Sequence, residues 1–175
     1  MNQNPDNVQD EQSREDHFWP KDQLVAIGAV TTAFSALEHT LHFFVWSLIG
    51  RDQHLGQIVT AQLPFRTIQG LAGALFHHRY PDSPIQADLD SALKRIAAVE
   101  ERRNTIIHSV WPLSQNPTQL TRFKHRVRRR EGYTLVEEQL TADEIMAVAS
   151  EISEVTDVVQ NIHFRTAEAD PTFTI

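Results

Sequence analysis

Residues 83–112 read SPIQADLDSALKRIAAVEERRNTIIHSVWP, and their periodicity decides the fold class. Ser83 followed by Pro84 is an N-cap with a first-turn proline, where the missing N–H is no loss. Leu89, Leu93, Ile96, Val99, Ile107 and Val110 then recur at helical spacing, and Trp111-Pro112 ends the run. A periodic stretch this long predicts one amphipathic helix, which must bury its apolar stripe against other elements.

The flanking sequence supplies those elements. Trp19-Pro20 opens a helix carrying Leu24, Ile27, Phe34, Leu37, Leu41, Val45 and Leu48, and Gly50 stops it. Asp52 caps a short second helix through Leu63. Pro64 opens a third, with Ile68, Leu71 and Leu75 on one face, closed by Tyr80-Pro81. Beyond Pro117 the period changes to two: Phe123 and Val127 alternate with Arg122, Lys124, Arg126 and Arg128. Glu131-Gly132 supplies a turn, and Tyr133 to Val136 the return strand. Thr141 with Glu144 forms a capping box before a last helix bearing Ile145, Val148, Ile152, Val155, Val159 and Ile162. The expected architecture is an all-α bundle of four to five helices, with a small β-hairpin at about 121–136 inserted before the last helix. Residues 1–18 read as a disordered polar tail, 19–165 as the helical domain, and 166–175 as a C-terminal tail without pattern.

A chain of 175 residues is long enough for one domain with a real core. It has no cysteine, which excludes disulfides and thiolate metal sites. The acidic N-terminal stretch reads as neither a secretory nor a transit peptide. The apolar residues at 24–49 are interrupted by Glu38, His39 and His42, so no membrane span is expected, and the expected location is the cytoplasm. The net charge of −7 argues against a general nucleic-acid coat. A local basic site remains open, because six of the sixteen Lys and Arg residues lie between Arg122 and Arg130.

Two charges stand where apolar residues belong. On a wheel of about 100° per residue, Arg103 falls in line with Leu89, Ile96 and Val110, while Arg102 points away. Glu38, four residues after Phe34 and seven before Val45, also falls on its helix's stripe. A buried cation and a buried carboxylate are tolerable when paired, so Glu38 is expected to face Arg103. That pair reads equally as a structural ion pair setting helix register or as part of a functional site. His108, five residues after Arg103, is rotated from it by roughly 140° and leaves the packed face beside Asn104.

In Arg103-Asn104-Thr105-Ile106-Ile107-His108, with its bundle context, the chain resembles the HEPN superfamily. The mark of that superfamily is an arginine, four to six residues and a histidine, commonly with a polar residue directly after the arginine. The resemblance spans about residues 20–165. It implies a HEPN-like helical bundle and a metal-independent endoribonuclease with no cofactor. Arg103, Asn104 and His108 would be catalytic, with Glu38 and Ser109 supporting them. It further implies a homodimer in which two motifs meet in a shared cleft, and a toxin role in a toxin–antitoxin or defence system with a protein antitoxin. Other members are catalytically inactive modules that bind nucleic acid or protein, and that is the alternative here. The chemistry suits the residues. RNA carries its own 2′-hydroxyl nucleophile, an imidazole exchanges protons near neutral pH, and arginine grips phosphate bidentately. The expected products are 2′,3′-cyclic phosphate and 5′-hydroxyl ends.

Other candidates are weaker. Glu38, His39 and His42 lack the two Glu-x-x-His copies of a di-metal bundle, so no metal site is expected. His77 and His78 are expected to meet the carbonyls ending their helix. Arg122, Lys124, Arg126 and Arg128 read either as a solvated hairpin face that discourages edge pairing or as a strand guiding RNA, with Phe123 or Tyr133 available to stack. An acidic antitoxin would also suit that stripe. The last helix has an acidic polar face (Glu151, Glu154, Asp157) and is expected to serve core or dimer interface rather than membrane.

Overall fold

A computed structural model describes the chain over residues 19–50, 52–112, 120–128, 132–170 and 173, with backbone alone for 126–128. The expectations for residues 1–18, the loop at 114–117 and Glu131 lie outside the described residues. Five helices and one antiparallel hairpin follow in order: α1 (Lys21–Ile49), α2 (Gln53–Thr60), α3 (Phe65–Arg79), α4 (Gln86–Ile107), β1 (Leu120–Arg128), β2 (Gly132–Leu140) and α5 (Ala142–Ala169). The all-α bundle with a hairpin before its last helix is the architecture observed.

α1 is the central helix, touching all four others and running along α5 for much of its length. By length and composition α1 is apolar enough to cross a bilayer, a test the interrupting Glu38, His39 and His42 do not make it fail. Here its Phe34, Leu37, Leu41, Phe44, Val45 and Leu48 are buried in the core instead. Against them lie Ile68, Ala72 and Phe76 of α3, Leu89, Ile96 and Val99 of α4, and the whole predicted stripe of α5. The punctuation works as its chemistry requires. Asp52 Oδ1 accepts from the Leu55 N–H at 3.1 Å, Gly50 ends α1 at φ 142°, and Thr141 with Glu144 closes a full capping box.

Three boundaries differ from expectation. α4 stops at Ile107, four residues before Trp111, because Val110 leaves the helix to exchange both backbone hydrogen bonds with Phe123 of β1 at 2.9 Å. β2 runs on to Leu140 through Glu137-Glu138-Gln139, whose polarity hid the strand; Arg122 pairs opposite Glu138 and supplies the missing complement. α5 continues to Ala169, and beyond it Phe173 is buried against Phe44, Tyr80 and His163. A single aromatic anchor leaves no period in the sequence, so that tail looked empty.

Candidate functional site

The last turns of α4 gather a run of polar side chains. Glu100 sits four residues after Ile96, on the same stripe, and its side chain is buried to 9% exposure. Such a carboxylate demands partners. It accepts from Arg66 Nε of α3 at 2.9 and 3.2 Å, and from Asn104 Nδ2 at 3.5 Å. The Asn104 Oδ1, thereby turned the other way, accepts from Arg103 Nη1 at 2.8 Å. The Arg103 guanidinium also lies over the Phe34 ring, 4.5 Å from its centre, which holds a half-buried cation on an aromatic face. Its Nε is buried with no hydrogen-bond partner among the described residues.

The expected Glu38–Arg103 pair does not form. No described ion pair joins them, and the Arg103 position facing α1 is taken by Phe34. Glu38, one turn further along α1, lies instead in a groove between α1 and α2 with His42, Trp46, Gln57 and Thr60. There burial lowers the pKa of His42, while the Glu38 charge pulls it back up and His39 adds to the lowering. The carboxylate serving the motif is Glu100, readable by the same wheel arithmetic that found Arg103. Arg66, six residues past the end of α2 in an unremarkable first turn of α3, carries no signal in the sequence.

His108 is the first residue beyond α4, with φ −98° and ψ 11°. Its backbone N–H donates to the Asn104 carbonyl at 3.1 Å, and its side chain is exposed. Trp111 is not packed over it as a cover; the indole N–H donates to the Ile106 carbonyl at 3.0 Å. Asn104 therefore joins the motif through two routes, its amide to Arg103 and its carbonyl to His108. No three His, Asp or Glu side chains gather as a metal site among the described residues.

The hairpin cations divide. Arg122 shares a strand face with Leu120, and both are buried against the bundle. Its guanidinium donates to the Thr105 carbonyl at 3.0 Å, to Ser109 Oγ at 3.3 Å and to the Glu138 carboxylate. α4 has no basic residue in its last turn, so its terminal carbonyls draw the cation from the hairpin. Arg122 is thus an anchor and not an exposed phosphate ligand. Ser109, which also donates to the Thr105 carbonyl, belongs to this anchor rather than to the Arg103 contacts. Lys124, half-buried, donates to Thr105 Oγ1 at 2.8 Å. Arg126 and Arg128 fall on the same strand face by register, and their side chains lie outside the described residues. On the opposite face His125 Nδ1 and the Tyr133 hydroxyl are 2.7 Å apart and both residues are exposed. His77 meets Gln86 at 2.7 Å and not a helix-ending carbonyl. A cleft of about 570 Å³ opens between α4, the hairpin base and α5, lined by Arg102, Thr105, Arg122, Glu144 and Val148. Neither Arg103 nor His108 lines it.

Compared with known proteins, the chain matches no family model, no curated protein and no solved structure.

Proposed function

We propose that this chain is a HEPN-like, metal-independent endoribonuclease of the cytoplasm, acting as a homodimer with a shared cleft and serving as a toxin restrained by a protein antitoxin. The observation that carries the reading is the linkage through Asn104: its side chain holds the Arg103 guanidinium while its backbone carbonyl holds the exposed His108 in place. In this mechanism the 2′-oxygen attacks the adjacent phosphorus as its proton passes to a His108 imidazole. The bond from phosphorus to the 5′-oxygen breaks, and a protonated imidazole returns a proton to that oxygen. Two His108 side chains, one from each copy, divide these tasks, and Arg103 stabilises the charge growing on the non-bridging oxygens. Asn104 keeps the arginine aimed.

The test is cleavage of single-stranded RNA by purified protein in the presence of EDTA. Wild type is expected to yield 2′,3′-cyclic phosphate ends, and His108→Ala to lose activity by on the order of 10²-fold or more. Activity that disappears with chelation rejects the mechanism. The second reading, an inactive HEPN-like module that binds nucleic acid or protein, draws on the engagement of Arg122 and Lys124 by α4. It predicts binding without cleavage in the same experiment.

A further inference from the structure

We infer that Arg66 of α3 is a second phosphate-binding cation of this site, gripping the RNA backbone at the phosphate next to the one held by Arg103. The inference rests on the ribonuclease reading. Its ground is the way Arg66 is held. A guanidinium that only neutralises a carboxylate commonly presents two nitrogens to its two oxygens. Arg66 commits its Nε alone, shared between both oxygens of Glu100 at 2.9 and 3.2 Å. Among the described residues the two terminal nitrogens, the fork that fits a phosphate, have no hydrogen-bond partner. The side chain is 72% exposed although its partner carboxylate is 9% exposed. A fixed Nε with a free, exposed fork is a pre-aimed anion receptor, since little rotamer freedom is left to lose on binding.

Its placement relative to the motif is equally specific. Three successive contacts, at 2.9, 3.5 and 2.8 Å, run from Arg66 through Glu100 and Asn104 to Arg103. The two guanidinium groups are therefore linked at the same end of α4 through a carboxylate and an amide that offset their repulsion. One strand of RNA presents phosphates in series, so a cation beside the scissile position meets the adjacent one. Such a contact positions the strand and reads no base.

The experiment measures binding of a 2′-O-methyl single-stranded oligonucleotide, which lacks the nucleophile, to the full chain by fluorescence anisotropy across a salt series. Arg66→Ala is expected to weaken binding roughly tenfold at low salt and to flatten the dependence of log K on log salt by about 0.7, the loss of one single-strand phosphate contact. Arg66→Lys keeps most of the slope. Arg95→Ala, which removes an exposed cation paired with Glu154 elsewhere on α4, leaves it unchanged. The deciding variant is Arg66→Ala/Glu100→Gln, which removes the cation together with the buried charge that needs it. Its binding stays weak if Arg66 holds phosphate. A double variant that binds like wild type shows that Arg66 is merely the counter-ion of Glu100, and overturns the inference. Wild type that cleaves RNA while Arg66→Ala binds normally removes this inference alone; wild type that neither binds nor cleaves removes the ribonuclease reading with it.

Discussion

His163 shows what a single buried ring imposes on this molecule. It is 5% exposed, stacked on Phe43 at 5.3 Å, edge-on to Phe164 and Phe173, and its Nε2 has no hydrogen-bond partner among the described residues. Burial pushes its pKa below the ordinary 6.5, because the charged ring would lose its water. The unfolded chain therefore binds the proton more readily than the folded one. The stability this ring supports is fully present above pH 6.5 and is lost as the pH falls below that value, by at most about 1.4 kcal/mol per pH unit. Urea unfolding of His163→Leu between pH 7.5 and 5 is expected to show a shallower decline than wild type. Equal slopes would mean that His163 takes up its proton as readily in the folded protein as in the unfolded chain. His42, lowered by burial against the pull of Glu38, acts in the same sense, so the slope shrinks without vanishing. At this scale the sequence was half legible. The stripe position of Arg103 could be read from spacing, and so could that of Glu100. That a ring of α1 and not the Glu38 carboxylate meets the arginine could not, because that depends on how α1 is rotated against α4.

At the scale of elements, the junction of α4 with the hairpin shapes the site. A helix ends with unsatisfied carbonyls, and α4 has no lysine, arginine or histidine of its own in its last turn to meet them. Arg122 meets the Thr105 carbonyl from another element, and the Val110–Phe123 bridge completes the docking. This junction also holds His108 just past the helix end. Arg122→Ala is expected to cost on the order of 2–3 kcal/mol, since charged-group hydrogen bonds and a buried guanidinium are lost together. Hydrogen exchange should then quicken at Val110 and Phe123 before it quickens in α1. Unchanged protection of both amides would show that the hairpin docks without this arginine. The period-two alternation of 121–128 was readable from the chain, but its inward face was not. Arg122 and Lys124 turn toward the bundle because α4 offers acceptors there, where apolar spacing alone favoured Phe123 and Val127.

For the whole molecule, one copy presents an exposed His108 and a guanidinium engaged by Phe34 and Asn104, with neither lining the cleft between α4 and α5. A site shared between copies would bring two motifs to one strand of RNA. Wild-type subunits paired with His108→Ala subunits are then expected to retain far less than half of the wild-type RNase activity, because the shared cleft keeps only one of its two imidazoles. Half of the wild-type activity in verified heterodimers would confine the site to a single chain. The bundle itself was determined by local patterning: periodic apolar residues, Asp52 and Thr141 as caps, and Gly50 and Tyr80-Pro81 as stops suffice to place five helices and a hairpin. Those signals act over a few residues, so they survive in the linear sequence. The burial of Phe173, the extension of β2, the exchange of Glu38 for Glu100 and the arrival of Arg66 were decided only by tertiary structure. Each depends on which faces meet across the core, and the low cost of an unpaired charge in water gives the sequence no local trace of the partner it will need once buried.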